Sequence, residues 1–358
     1  MAQEAQGGLP PGVSGVTLRT LLVNGRRLHF ADTGNTQDPL VLFLHGWPAS
    51  WYLWRRQLPL CAARGWRGVA PDMRGFGGTE ASDSAHNYNV YSVASDFLGL
   101  MHLLGYERCV LVGHDAGAFL TWHMALLYPK VFVAVCAMSV PFSGRPKRPP
   151  VASMKRAYGE PTDKEKAHFF YILHHQLPEA VHGYEANATE AMRVIYSTPG
   201  DPVDPPEVTD PKLWIGGEAV GMWRRAPRPK SLPPWLPQEE FDHTVAEFLR
   251  NGVAGGIKWY QKLDIDWSIT PHLAGRRVPQ PLLFIAGTRD AVIHMSGGKE
   301  ACEKGIRDIC ELPPRTVFIR GCSHWVQLQA TEQVNEELFS FLAEHRAQTP
   351  PPLPRSRL

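Results

Sequence analysis

The order of apolar and polar residues divides most of the chain into strands and helices. Residues 16–33 alternate apolar with polar side chains around a turn at Asn24-Gly25, which is typical of an antiparallel hairpin. Continuous apolar runs, typical of parallel strands buried on both faces, occupy residues 39–44, 68–70, 108–112, 131–138, 281–286 and 315–319. Helical spacing lies between such runs, for example at residues 90–104. The pattern predicts an α/β protein with a doubly wound, mostly parallel sheet.

Residues 143–262 interrupt this pattern. They are rich in proline and aromatic residues and contain only short helical patches, at residues 164–176, 184–196 and 239–250. We interpret them as a helical cap inserted into the sheet domain. Within the cap, the prolines of residues 193–213 predict a long surface loop. The predicted organisation is a flexible N-terminus at 1–15, a first part of the core at 16–142, the cap at 143–262, a second part of the core at 263–346 and a proline-rich tail at 347–358.

Composition excludes several classes of protein. The net charge is +2 and the charges are scattered, so nothing suggests nucleic acid or an anionic membrane as a partner. No apolar run approaches the ~20 residues of a membrane span, and no HExxH or clustered zinc spacing predicts a metal site. The six cysteines form no CxxC pair, which favours reduced thiols in an intracellular protein.

The last three residues, Ser356, Arg357 and Leu358, are a close variant of the Ser-Lys-Leu peroxisomal address. If the source is eukaryotic, we expect a peroxisomal import receptor to bind this sequence. A disordered tail on a cytoplasmic protein is the alternative.

A sharp turn between a strand and a helix carries the main candidate for chemistry. It reads Gly113-His114-Asp115-Ala116-Gly117, the GxSxG form of a nucleophile elbow, whose glycines permit a strained backbone. Asp115 stands where that motif has serine. A carboxylate is already anionic and suits displacement at a saturated carbon, which gives an enzyme ester. Water must then cleave this ester with a histidine base and an oxyanion hole. A tight turn with an ordinary capping aspartate is the alternative.

Further motifs follow one another in a set order. They are HGWP at residues 45–48, DMRGFG at 72–77, GHDAG at 113–117, SVPF at 139–142, KWY at 258–260, GTRD at 287–290 and CSHW at 322–325. Through these motifs, residues 16–344 resemble the soluble epoxide hydrolases of plants and bacteria. The resemblance implies the α/β-hydrolase fold, with a mostly parallel eight-stranded sheet, flanking helices and an inserted helical cap. It also implies conversion of an epoxide to a vicinal diol with water and without a metal or other cofactor.

The resemblance implies a role for each member of a catalytic set. Asp115 would be the nucleophile and His324 the base that activates water. Asp290, which follows the strand at 281–286, would orient the histidine, and Asp264 and Asp266 are rival acids.

Other groups would complete the reaction. The backbone N–H groups of Trp47 and Ala116 would form the oxyanion hole. Two cap tyrosines, Tyr260 and Tyr171, would protonate the departing oxygen, since a phenol stays protonated at neutral pH. Alternative donors are Tyr158, Tyr184 and Tyr196. Substrate contacts are predicted for Trp47, Trp259 and Trp325, and such aromatic residues favour lipophilic epoxides, of the fatty-acid or aryl type.

The sequence departs from the family pattern at three places. Ala116 stands at a position often filled by tryptophan, Ala49 replaces a common glutamate, and His174-His175 replaces a more aromatic or basic pair. The loss of tryptophan at 116 should widen the pocket beside the nucleophile. Two other functions share this fold, a dehalogenase with the same aspartate and histidine, and a catalytically silent ligand-binding protein.

Overall fold

The computed structural model describes residues 8–160, 170–197 and 228–354, together with the backbone of two short strands at residues 3–4 and 203–204. Four predicted features therefore lie wholly or partly outside the described residues. They are the first residues of the N-terminus predicted at 1–15, the C-terminal Ser356, Arg357 and Leu358, the first part of the cap helix predicted at 164–176, and most of the loop predicted at 193–213.

Eleven strands are present in the described residues, nine of them in one sheet. They are β1 Gln3–Glu4, β2 Thr17–Val23, β3 Arg26–Thr33, β4 Leu40–Leu44, β5 Arg67–Pro71, β6 Cys109–His114, β7 Phe132–Met138, β8 Val203–Asp204, β9 Arg228–Pro229, β10 Leu282–Gly287 and β11 Arg315–Ile319. The sheet has the order β1-β2-β3-β5-β4-β6-β7-β10-β11, and all its pairs from β5 to β11 are parallel. The predicted mostly parallel, eight-stranded sheet is confirmed, with β1 as a two-residue addition at one edge.

Burial explains why the strands could be recognised in the sequence. Every residue of β4, β6, β7 and β10 is buried, because helices cover both faces of the sheet. The hairpin of β2 and β3 instead lies toward one edge, and β2 is only partly buried, which accounts for its alternating pattern.

The helices fall into a group that covers the sheet and a group that forms the cap. In chain order they are α1 Leu58–Ala63, α2 Val90–Leu103, α3 Ala116–Leu127, α4 Pro150–Tyr158, α5 Tyr171–His174, α6 Glu179–Ala186, α7 Ala188–Ile195, α8 Gln238–Leu249, α9 Ala254–Gln261, α10 Leu263–Ile269, α11 Ala291–Met295, α12 Lys299–Ile309, α13 Val326–Gln329 and α14 Thr331–His345. None of the helices in the described residues has both the length and the apolar character needed to cross a membrane. All six cysteines are buried and free.

The cap differs from the sequence prediction in two details. The helix predicted at 184–196 is divided into α6 and α7 at Asn187, whose side chain donates to the carbonyl of Gly183 at 3.0 Å and so competes with helical hydrogen bonding. Helix α10 lies beyond the predicted cap boundary at residue 262. It contacts α4 of the cap, because Asp264 Oδ1 accepts a hydrogen bond from the N–H of Val151 at 2.7 Å.

The N-terminus is more attached to the core than its sequence suggested. Residues 1–15 were expected to be flexible, but Tyr52 Oη donates to the carbonyl of Pro11 at 2.5 Å and Thr33 Oγ1 donates to the carbonyl of Gly15 at 2.7 Å. Prolines and glycines carry no hydrophobic periodicity, yet their carbonyl oxygens accept hydrogen bonds from core side chains. These contacts attach Pro11 and Gly15 to the core, and the flexibility of residues 1–15 stays a prediction.

A buried cluster of charges connects the cap to the core. Glu240, in the first turn of α8, accepts hydrogen bonds from Arg55 at 2.5 Å and Arg56 at 2.8 Å, and the side chains of Arg55 and Glu240 are almost fully buried. Removing one member of such a cluster leaves an uncompensated buried charge.

We expect Glu240→Ala to lower the free energy of unfolding by about 3–5 kcal/mol, since Arg55 would lose its buried partner. The matched control is Glu80→Ala, which removes an exposed pair with Arg27 and should change stability by less than about 1 kcal/mol. Urea unfolding of both variants measures the difference. Equal losses of stability would contradict a special contribution of the buried cluster.

Candidate active site

Asp115 lies at the strained point of the turn between β6 and α3. Its φ is 55° and its ψ is −121°, a backbone conformation that is uncommon for a residue with a side chain. The motif suggested that the neighbouring glycines adopt the strained backbone conformation, but they do not. A Cβ at Gly113 would collide with the carbonyl of Gly117, and a Cβ at Gly117 would collide with the carbonyl of Leu44. The glycines therefore allow close backbone approach, and the strain falls on the aspartate itself.

The loop after β4 holds one oxygen of the Asp115 carboxylate. The N–H of Trp47 donates to Asp115 Oδ1 at 2.9 Å, and the N–H of Ala116 also hydrogen-bonds to the carboxylate. Gly46 has no room for a side chain, because a Cβ there would collide with the carboxylate of Asp115. The structure thus brings both predicted oxyanion-hole residues to the candidate nucleophile.

Two buried polar residues support this loop from below. Asp72 accepts hydrogen bonds from the N–H of Trp51 at 2.8 Å and from His29 Nδ1 at 2.7 Å. His45 Nε2 accepts from the N–H of Met73 at 2.9 Å. Each of the two loops, at 45–51 and 72–78, therefore donates a backbone hydrogen bond to a side chain of the other. These contacts fix the backbone position of Trp47.

His324 lies between two carboxylates. Its Nε2 is 3.3 Å from Asp115 Oδ2, and its Nδ1 is 2.9 Å from Asp290 Oδ2. Asp290 is buried at the start of α11, where its Oδ1 also accepts from the N–H of Val292 at 2.9 Å. The predicted set of Asp115, His324 and Asp290 therefore comes together.

The rival acids are occupied elsewhere. Asp264 accepts the hydrogen bond from Val151 described above, and Asp266 Oδ2 lies 2.7 Å from Lys262 Nζ.

Neighbouring charges and hydrogen bonds shift the pKa values of His324 and Asp115. Burial by itself would lower the pKa of His324, but the charge of Asp290 and hydrogen bonds to both carboxylates raise it to about 10. Burial would likewise raise the pKa of Asp115, but hydrogen bonding with His324 and its positive charge hold the pKa below its ordinary value. The site therefore favours an anionic Asp115 beside a protonated His324 at neutral pH.

Sequence reasoning missed two residues that position His324 through its backbone. His114 Nε2 and Ser139 Oγ each lie 2.8 Å from the carbonyl oxygen of His324. Burial lowers the pKa of His114 to about 4, so its ring is neutral and donates this hydrogen bond. Both residues belong to recognised motifs, but a contact with a distant backbone carbonyl leaves no signal in residue spacing.

Tyr171 and Tyr260 face each other at the cap side of the site. Their ring centroids are 5.7 Å apart and their planes are 82° apart. Burial first, and then the negative charge of Asp115, raise the pKa of both phenols well above the ordinary value, so both stay protonated. Reciprocal contacts fix the pair, because Gln176 Nε2 donates to the carbonyl of Tyr260 at 3.2 Å and Gln261 Nε2 donates to the carbonyl of His175 at 3.0 Å.

The alternative tyrosines have other contacts. Tyr184 Oη hydrogen-bonds to His175 Nε2 at 2.9 Å, and Tyr196 stacks on Trp325 with ring centroids 4.1 Å apart. Tyr158 reaches the same cavity as the predicted pair but stacks on Phe170 at 4.6 Å.

A cavity of about 370 Å³ lies between the elbow and the cap. Most of its wall is apolar or aromatic, and its lining includes Asp115, Phe119, Tyr171, Trp259, Tyr260 and Lys262. Among the described residues, no group of three or more histidine, cysteine, aspartate or glutamate side chains is arranged to hold a metal ion.

Only one of the three tryptophans predicted to contact substrate lines this cavity. Trp259 does so, while its Nε1 donates to the carbonyl of Arg74 at 3.0 Å. Trp47 contributes its backbone N–H, but its ring contacts Tyr260 and other aromatic rings beneath the cap. Trp325 is buried against Tyr196, and its Nε1 donates to the carbonyl of Ile195 at 2.9 Å. The rings of Trp47 and Trp325 thus contact aromatic residues of the cap, and a contact with substrate stays a prediction for both side chains.

The parallel sheet, the elbow and the charged triad define this protein as an α/β-hydrolase. In agreement, residues 39–165 match the family described as the alpha/beta hydrolase fold. The chain is 36% identical to epoxide hydrolase A of Mycobacterium tuberculosis, over 91% of this chain and 97% of the relative, and 32% identical to epoxide hydrolase 1 of Siraitia grosvenorii, over 91% and 97%. It therefore belongs to the epoxide hydrolases, and it is an enzyme that hydrolyses epoxides.

Solved structures agree with this assignment. The crystal structure of epoxide hydrolase A from Mycobacterium thermoresistibile superposes with a TM-score of 0.81 at 35% identity, covering 92% of this chain and 98% of the other. An epoxide hydrolase from Vigna radiata superposes with a TM-score of 0.77 at 31% identity, covering 92% and 99%.

Proposed function

We propose that this enzyme converts lipophilic epoxides to vicinal diols through a covalent ester on Asp115. The observation that carries the proposal is the position of the Asp115 carboxylate. One of its oxygens is held by the N–H of Trp47, the other faces His324, and the carboxylate opens into a cavity lined by Tyr171 and Tyr260. An anionic nucleophile and two proton donors therefore line one cavity, and the base contacts the nucleophile.

In the first step, a carboxylate oxygen of Asp115 attacks a ring carbon of the epoxide. The new C–O bond of the ester forms as the C–O bond of the ring breaks, and the departing oxygen takes a proton from Tyr260 or Tyr171. The raised pKa of both phenols keeps them protonated until the alkoxide develops. Ester formation also removes the negative charge of Asp115, which had raised the pKa of His324.

The second step uses this change in charge. The pKa of His324 falls when Asp115 becomes an ester, so the imidazolium can return a proton to the tyrosinate and become a neutral base. It then takes a proton from water as the water oxygen attacks Asp115 Cγ. The N–H groups of Trp47 and Ala116 stabilise the negative oxygen of the tetrahedral intermediate, and Asp290 stabilises the imidazolium. The intermediate then collapses with cleavage of the bond between Cγ and the substrate oxygen, and the leaving alkoxide takes the proton of the carboxylic acid that forms. The products are the diol, the Asp115 carboxylate and protonated His324, so the starting protonation state is restored.

The walls of the cavity support a lipophilic substrate. Phe119, Val140 and Ile172 contribute apolar surface, and Tyr158 and Trp259 add aromatic surface. Burial of apolar substrate atoms against such walls is favourable. The alternative function, a dehalogenase, has less support. A departing halide would need a hydrogen-bond donor, and the methyl group of Ala116 cannot donate one.

Isotope labelling tests the covalent route. Excess enzyme is mixed with an aryl epoxide in ¹⁸O-labelled water for a single turnover, and the diol is analysed by mass spectrometry. We expect unlabelled diol at first, because its new oxygen comes from Asp115, with label appearing in later turnovers. Full labelling in the first turnover would mean direct attack by water and would exclude Asp115 as the nucleophile.

In His324→Gln, the intact protein should gain the mass of the epoxide, because the ester forms but is not cleaved.

Removal of the cap hydroxyl groups should slow ring opening. We expect Tyr260→Phe and Tyr171→Phe each to reduce the rate of ester formation by about 10²-fold or more, since each change removes a general acid. The matched control is Tyr128→Phe, at the opposite end of α3 from Asp115, which should leave this rate within about twofold of wild type. Rapid-quench measurement of the ester distinguishes these outcomes, and normal rates in both cap variants would rule out tyrosines as the acids.

The two steps should respond differently to acid. The pKa of Asp115 is held low, so ring opening should continue as the pH falls from about 8 to about 5. Ester cleavage needs neutral His324 and should slow once the pH is below the pKa that His324 has in the ester form. We therefore expect the covalent ester to accumulate in mildly acidic solution, as measured by intact-protein mass spectrometry after rapid quenching. If acid slowed ring opening and ester cleavage equally, the separate roles of Asp115 and His324 would be contradicted.

A further inference from the structure

Lys262 is a positively charged residue in the wall of a mostly apolar cavity. Its side chain is only 1% exposed, and the residue lines the cavity two positions after Tyr260. Its Nζ lies 5.1 Å from the ring centroid of Phe119 and 4.9 Å from that of Trp259, and both rings line the same cavity. Lys262 therefore contributes to the wall of the substrate space, and its ammonium group lies beside two rings of that wall. The catalytic steps above make no use of it.

The hydrogen-bonding capacity of this ammonium group is only partly used. It has three N–H donors, and within the described residues its acceptor is Asp266 Oδ2, at 2.7 Å. The other oxygen of Asp266 accepts from the N–H of Val90 at 2.7 Å. The remaining donors of Lys262 face aromatic rings, which attract a cation but bind an N–H group less strongly than an oxygen acceptor does.

The local charge favours a neutral oxygen over an anion. Lys262 and Asp266 already form a neutral pair, so a substrate carboxylate would add an uncompensated negative charge to a buried site. The cavity also holds the Asp115 carboxylate. A carbonyl, ether or hydroxyl oxygen needs only a donor and adds no charge.

We infer that Lys262 is a specificity-determining residue that binds a neutral oxygen of the substrate away from the epoxide ring. This inference rests on the proposed function, because it assumes that the ring lies at Asp115. Phe119 follows Asp115 by one helical turn of α3, which spans roughly 6 Å. The preferred substrates are therefore lipophilic epoxides with an oxygen acceptor a few atoms along the chain.

A purely structural role makes a different prediction. Through Asp266, Lys262 also contributes to holding α10 against the start of α2. If that were its whole role, substitution would affect all epoxides equally. The test must therefore compare two substrates within one protein, so that any loss of folded enzyme cancels.

The experiment uses a series of 1,2-epoxyalkanes and their ω-methoxy analogues, matched in chain length from about four to about ten atoms. The ratio of kcat/KM for the methoxy substrate to that for the alkane is measured in wild type, Lys262→Met and Asp266→Asn. At one chain length, we expect this ratio to fall about tenfold in Lys262→Met, because a hydrogen bond to a charged group is lost. Asp266→Asn removes the carboxylate charge but keeps the lysine donor, and it should retain the wild-type preference.

Three results would overturn the inference. They are an unchanged ratio in Lys262→Met, an equal change at every chain length, or a preference for ω-carboxylate over ω-methoxy substrates that depends on Lys262. If Lys262→Met does not fold, the double variant Lys262→Met/Asp266→Asn removes both buried charges and gives the same ratio measurement. The ratio of kcat/KM values can be measured whether or not the reaction passes through an Asp115 ester. Its outcome is therefore separate from that of the isotope test.

Discussion

The contact of the His324 imidazole with two carboxylates is the interaction on which the rest of the site depends. Burial disfavours the charged forms of His324 and Asp115, and the opposite charge of each neighbour stabilises them. Asp115, Asp290 and His324 follow β6, β10 and β11, which belong to one run of parallel strands in the order β6-β7-β10-β11. Because parallel strands end at the same edge, residues far apart in sequence meet there. The fold therefore holds these three side chains, which are far apart in sequence, close together at one edge of the sheet.

The same charge arrangement joins the two proposed chemical steps. A histidine whose pKa is raised to about 10 would be a poor base at neutral pH, and this would be an obstacle if its surroundings were constant. In the mechanism that we propose, they change, because Asp115 would lose its charge on becoming an ester. Formation of the ester would thus lower the pKa of His324 and give the neutral base that cleaves it. Contacts to the carbonyl of His324 from His114 and Ser139 keep the ring in place while its charge varies.

The sequence predicted those features that depend on local pattern. Continuous apolar runs located the buried strands, and short motifs placed Asp115, Asp290, His324 and the donors at Trp47 and Ala116. It gave no signal for contacts that are distant in sequence or lie on the backbone. Two such contacts are the stacking of Trp325 on the cap residue Tyr196 and the hydrogen bond from Tyr52 to the carbonyl of Pro11. Neither partner can be identified from hydrophobic spacing, because each depends on how the cap and N-terminus lie on the core.

The cap provides both the candidate acid and the inferred specificity contact from one short segment, residues 259–262. Trp259 ties this segment to the core through the carbonyl of Arg74, and Gln261 ties it to the stretch after α5, the helix that begins with Tyr171. Lys262 adds a third contact, its buried ion pair with Asp266. Because the segment is held at three points, we expect the separation between the Tyr260 hydroxyl and the Lys262 ammonium group to vary little. Substrates would then be selected by the distance between their epoxide and a second oxygen, in addition to their apolar bulk.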